Sequence, residues 1–212
     1  MSYRLARQVG KSQRLAVLGV LKKNPAGLPV KPLSALLKMS YMGAKDICLD
    51  LAKQGYLTTW RNPKPTGRPE LLYRLTQKAQ ELFPQPNNEV TLQMLQSAAR
   101  LFGATAPGKL LLLYFQERTK AYREKVTGDT VAERLKWFAR IRDREGHFAV
   151  FSEGPPPSLI EYHQPLQDLF TVYPEAARLE ENLVSQVLGS PITRQETEFL
   201  EGTKAVVFQL RV

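Results

Sequence analysis

Residues 56–75 read Tyr56-Leu57-Thr58-Thr59-Trp60-Arg61, then Asn62-Pro63-Lys64-Pro65-Thr66-Gly67-Arg68-Pro69, then Glu70-Leu71-Leu72-Tyr73-Arg74-Leu75. Two runs rich in β-formers flank a segment in which three prolines and a glycine forbid a helix. The stretch is therefore expected to form two strands joined by a basic loop. Its place in the chain gives it meaning, because three helical patterns come directly before it.

The first pattern is Ser12 to Lys23, with Leu15, Leu18 and Leu21 on one face and Ser12 placed to cap it. Asn24-Pro25-Ala26-Gly27 stops it. The second, Pro29 to Lys38, carries Val30, Leu33, Leu36 and Leu37, and can start at Pro29 or Pro32, since a first-turn proline loses no hydrogen bond. Ser40 caps a third helix to about Gln54, with Ala44, Ile47, Leu51 and Ala52 inward and Gly55 after the last turn. Three helices followed by a hairpin predict a winged helix-turn-helix over residues 1–84, closed by a short helix from Gln77 to Phe83. Pro84-Gln85-Pro86-Asn87-Asn88 marks the domain boundary.

Beyond it, helical patterns resume at Val90–Gly103 and Lys109–Lys125, and residues 85–128 are expected to serve as a helical linker and dimerisation region. Residues 129–212 then read as an α-β-β-α-β-β domain. Its helix runs from Val131 to Arg144, and its first strands are Phe148–Phe151 and Leu159–Tyr162. A helix over Leu166–Leu188, interrupted near Pro174, and strands at Ile192–Glu198 and Ala205–Leu210 complete it. The fold class is α+β.

Charge is unevenly shared. Residues 1–84 hold fifteen Lys/Arg against four acids, a net of +11, whereas the remaining 128 residues come to −1. Bases clustered in one half imply a polyanion partner for that half, because neutralised phosphates release counterions. The lone cysteine, Cys48, excludes an intramolecular disulfide and an all-cysteine metal site. It reads as a small hydrophobe, with a redox switch the rarer role. His147 and His163 lack metal-ligand spacing, so no metal or cofactor is expected. No apolar run spans a bilayer, and Met1–Arg7 lacks the apolar stretch of a signal peptide, so the expected location is cytoplasmic.

In a helix-turn-helix the third helix enters the major groove and reads bases with its first turns. Here those turns offer the hydroxyls of Ser40 and Tyr41, Met42, the close approach allowed at Gly43, and the cation of Lys45. Arg61, Lys64 and Arg68 of the wing would lie on the adjacent backbone or enter the minor groove, where potential is most negative.

The run Gly67-Arg68-Pro69, Tyr73, Leu75-Thr76 and Leu82-Phe83-Pro84, with the stretch from Ser40 through Leu51 to Gly55-Tyr56-Leu57, resembles a known family. Residues 12–84 look like the DNA-binding part of the ArsR/DeoR-like regulators that include the iron–sulfur-sensing SufR repressors. Ile47 and Cys48 stand where many relatives carry a histidine. More weakly, Glu161…Pro165, Tyr173-Pro174, Glu180, Val187-Leu188-Gly189, Arg194, Gly202 and Phe208 follow the cluster-binding domain of SufR-like proteins. The resemblance places cluster thiolates at Gln164, Ala177, about Pro191, and Val206. None is cysteine, so it implies the fold and not the cluster.

These readings predict a non-enzymatic regulator, a repressor, that binds double-stranded DNA as a homodimer. Tyr162, His163 and Tyr173 are the candidates to line a pocket for a small-molecule effector of unknown identity. The alternatives are a winged-helix protein–protein interaction module and, further off, a small-metabolite enzyme. No phosphate loop or nucleophile elbow supports the enzyme, and Glu180 and Glu181 are expected to be solvated.

Overall fold

The computed structural model describes residues 12–62, 69–83, 88–200 and 203–211. The described residues are α+β with two small sheets, and the chain divides into two compact units, one over 1–85 with 199–203 and one over 86–198 and 204–212. The boundary segment Pro84–Asn87, the loop Pro63–Arg68 and the turn at Glu201-Gly202 lie outside the described residues.

In the first unit, α1 (Gln13–Lys22) buries Val17, Leu18 and Leu21. The expected stripe is rotated, for Leu15 is only half-buried. Ser12 occupies the N-cap in extended conformation, but its side chain makes no capping bond. α2 (Val30–Leu37) starts directly behind Pro29, and Pro32 falls in its first turn, where no hydrogen bond is lost. Leu36, expected inward, is largely exposed, because the buried face of this short helix is Val30 and Leu33.

α3 (Tyr41–Lys53) is capped as its sequence foretells: the Gly43 amide donates to Ser40 Oγ at 3.1 Å. Ala44, Cys48 and Leu51 form its buried stripe at i, i+4 and i+7, while Ile47 and Ala52 are half-buried. Cys48 thus takes the core place expected for Ile47, a thiol being small and apolar enough to fill it.

β1 (Leu57–Asn62) pairs antiparallel with β2 (Glu70–Leu75), in a register from Leu57↔Leu75 to Asn62↔Glu70. A third extended piece joins them. Leu28, between α1 and α2, donates to Tyr73 O at 3.1 Å and accepts from the Tyr73 amide at 2.9 Å. Gly27 allows that approach: its φ is +92°, and a Cβ there would stand 2.7 Å from Arg74 Cγ and 2.9 Å from Tyr73 O. The closing helix, Gln77–Leu82, is 3-10 in type and buries Ala79.

The second unit begins with α4 (Glu89–Phe102) and α5 (Ala106–Arg123), the latter starting three residues before the expected Lys109 because Pro107 suits a first turn. α6 (Val131–Arg142) is held by a reciprocal capping box between Thr130 and Glu133. β3 (Ala149–Ser152), β4 (Ser158–Glu161), α7 (Gln167–Val172), α8 (Glu175–Leu188), β5 (Ile192–Leu200) and β6 (Thr203–Leu210) follow. The sheet order is β3-β4-β6-β5, with Leu159 of β4 opposite Phe208 of β6. Leu111 and Phe115 of α5, Phe138 of α6 and Val184 of α8 share one core with Leu159 and Phe208. Leu95 of α4 belongs to the same core, so the segment read as a linker also builds this unit.

Candidate nucleic-acid interface

The N-terminal turn of α3 carries the surface on which the sequence places base reading. Ser40 is exposed at the cap, and Tyr41 and Met42 behind it are each more than half exposed. Gly43 and Lys45 are partly covered. The capping bond satisfies one of the free amides of this turn.

Tyr41 and Lys45 share a concavity with Lys31 of α2 and with Glu70, Leu71 and Tyr73 of β2. Two helix starts and the hairpin therefore contribute to one face. Arg61 lies opposite Leu71 in the ladder, exposed at the far end of β1. Because side chains alternate along a strand, Arg61, Leu71 and Tyr73 fall on the same side of the hairpin. Lys64 and Arg68 lie outside the described residues.

Sequence reasoning misses one member of this surface, Lys31, and an exposed aromatic, Trp60, on the other side of the hairpin. Lys31 escapes it because base reading is expected of the third helix and the wing alone. Trp60 is more than half exposed on the opposite side of the ladder from Arg61, with the Arg74 guanidinium 5.2 Å from its ring centre. Arg74 Nε in turn donates to Ala26 O at 2.7 Å, so this cation buttresses the hairpin against the α1–α2 connection. The signal for Trp60 is present in the chain: an aromatic at a strand position where its neighbours are polar.

Beneath the surface, Cys48 is fully buried and burial pushes its thiol up to about 11. A thiol so placed is protonated and shielded, which argues against the redox role. Lys22 is also buried; its ammonium contacts Gln80 and sits 5.0 Å from the Phe83 ring centre. Burial lowers it to about 8.

The second unit contains a buried ionic network that sequence reasoning does not foresee. Arg142 Nε and Nη2 donate to Glu161 at 2.6 and 3.0 Å, and Nη2 also donates to Glu180 at 2.6 Å. Arg194 Nε donates to the other Glu180 oxygen at 3.1 Å, and Gln164 Nε2 to the same oxygen at 3.3 Å. Glu180, expected to be solvated, is fully buried; α8 turns it onto the face carrying Ala176, Leu183 and Val187, and leaves Glu181 to pair with Arg211 at 2.9 Å. His147 Nδ1 approaches Glu161 to 2.9 Å, off the hydrogen-bonding axis. Burial pushes the Glu161 carboxyl up, but the Arg142 charge, followed by His147, overrides it and holds the group down at about 2.

Gln164, Ala177, Pro191 and Val206 offer an amide, a methyl, a ring and an isopropyl group, a donor set that does not fit a thiolate-bound cluster. Gln164 instead bonds Glu180, and Val206 and Ala177 join the apolar core. Tyr162 is buried at the end of β4, with its phenol pushed up by burial. His163 stands edge-on to Phe148 at 6.1 Å, and Tyr173 packs against the core between α7 and α8. No protein-family model matches the chain, and no curated protein or solved structure matches it.

Proposed function

We propose that the chain is a sequence-specific regulator of transcription, a repressor, that grips duplex DNA with its first unit. In this reading α1–α3 and the β1–β2 hairpin form a winged helix-turn-helix of the ArsR/DeoR-like kind. α3 enters the major groove and presents Ser40, Tyr41, Met42, Gly43 and Lys45 to base edges and phosphates. Arg61, Lys64 and Arg68 follow the backbone or reach into the minor groove. A homodimer would place two such readers about 34 Å apart on a pseudo-palindromic site. The second unit would dimerise and take a small effector, with Tyr162, His163 and Tyr173 as its candidate contacts.

The observation that carries this reading is the face shared by the first turn of α3, Lys31 and the hairpin, in a half of the chain that holds a net charge of +11. Lys31 and Lys45 outnumber Glu70 on that concave face and suit a phosphate backbone, since each phosphate neutralised releases counterions. Fluorescence anisotropy of the full chain with random-sequence duplex, titrated across salt, tests it. Affinity should fall steeply between about 50 and 200 mM salt. A flat response, or no binding at low salt, overturns the proposal. In the second case the exposed Tyr41, Met42 and Trp60 favour a protein-interaction module instead.

A further inference from the structure

α4 carries two apolar stripes. The inner one, Leu92, Leu95 and Ala98, faces the core of its own unit. The outer one is Val90, Met94 and Leu101, which are 68%, 69% and 75% exposed, with the exposed Ser97 completing a 4-3-4 spacing. At 100° per residue these four positions fall close to one line, about a third of a turn from the inner stripe. A 4-3-4 spacing is the seam of a two-stranded coiled coil, in which a single polar residue among the apolar ones sets register at some cost in stability. Isolated exposed apolar residues need no explanation, but a row at seam spacing on one helix does.

We infer that this stripe packs against α4 of a second copy of the chain, antiparallel, about a two-fold axis. Size and charge select the occupant and its direction. Antiparallel self-pairing sets Val90 against the second copy's Leu101, two branched apolar side chains, and fits the long Met94 over its small Ser97. Glu89 lies at the start of α4 and Arg100 in its last turn, on the same flank of the stripe. The antiparallel arrangement brings Glu89 beside the second copy's Arg100, twice by symmetry. Parallel pairing would hold each charge level with its own counterpart, set Met94 against Met94, and align the two helix dipoles side by side. The interface is isologous, and it deepens the dimeric reading proposed above, on which it rests.

Analytical ultracentrifugation of the full chain reads the prediction. The wild type sediments as a dimer, and Met94→Asp combined with Leu101→Asp weakens association at least about tenfold while far-UV circular dichroism and the unfolding midpoint hold. Glu89→Arg and Arg100→Glu each weaken the dimer, and the two together in one chain restore it. As a second measurement, Val90→Cys mixed with Leu101→Cys cross-links on oxidation, whereas Val90→Cys alone does not; Cys48 is too deeply buried to interfere. A monomeric wild type overturns the dimeric reading altogether. A wild-type dimer indifferent to the stripe variants overturns only this surface, and self-linking of Val90→Cys overturns the antiparallel geometry.

Discussion

Arg142 and Glu161 meet as a two-pronged pair at 2.6 and 3.0 Å, the carboxylate fully enclosed and the arginine nearly so. The same guanidinium reaches Glu180, so one cation at the end of α6 ties β4 to α8. Burying these charges costs solvation, which is offset only while every partner is in place. Glu161→Gln is therefore expected to cost roughly 3–5 kcal/mol, whereas Glu181→Gln, at the surface pair with Arg211, costs less than about 1 kcal/mol. Urea unfolding followed through Trp137 of the second unit, in a Trp60→Phe background, checks both. Equal effects would remove the network from its structural role.

Acid should act through the same pair. The Glu161 carboxyl sits at about 2 in the folded chain against an ordinary 4.5. A group lowered on folding contributes stability that is complete above the ordinary value and is lost as pH falls toward the folded one. The second unit is thus expected to weaken between pH 4.5 and about 2, and the Glu161→Gln variant to lose this part of the dependence. Superimposable acid profiles of the two proteins would contradict it.

Lys22 gives the opposite window in the first unit. Its ammonium is lowered to about 8 from 10.5 by burial, so the unfolded chain holds the proton more tightly. Stability should rise as pH goes from 8 toward 10.5, and Lys22→Met should flatten that rise. Thermal unfolding of the first unit, read through Trp60 in a Trp137→Phe background, is the measurement.

The Ser40 cap links stability to the proposed DNA-reading surface. Ser40→Ala removes the acceptor for the Gly43 amide and is expected to cost about 1 kcal/mol. Glycine is a tolerated cap without a hydroxyl, so Ser40→Gly should leave the fold nearly as stable as the wild type. A loss of DNA affinity in Ser40→Gly as large as in Ser40→Ala then assigns the hydroxyl to DNA contact, and a loss that tracks stability assigns it to the cap alone. Paired unfolding and anisotropy curves separate the two roles.

Lys45→Ala and Arg61→Ala are each expected to weaken duplex binding by about 1–3 kcal/mol with unfolding midpoints unchanged. A phosphate-contacting cation lowers the slope of log affinity on log salt by about 0.9, while a base-contacting one relaxes sequence preference. Lys31→Ala belongs with the first kind, from its place beside Lys45 in the shared concavity. Unchanged binding in all three variants would put the docking face elsewhere.

What the chain declares by local chemistry is its elements and their order. Ser40, directly before a helical pattern, makes a cap from its own side chain, though Ser12 in the same position does not, and the three prolines of residues 62–69 forbid a helix in any context. The two strands of the hairpin, the break at Pro174 and the two closing strands follow from equally short-range rules. The charge asymmetry that points to a polyanion is likewise countable without a fold.

Burial is decided elsewhere, because it depends on which face another segment covers. Period alone could not choose Cys48 over Ile47, or Val17 over Leu15, since both choices give an apolar stripe. Glu180 shows this most plainly. Beside Glu181 on a helix it reads as one of two solvated acids, and only the arrival of Arg142 from α6 and Arg194 from β5 makes it a buried partner. A cation distant in sequence supplies the compensation that burial of a carboxylate demands, and only packing in three dimensions brings it there.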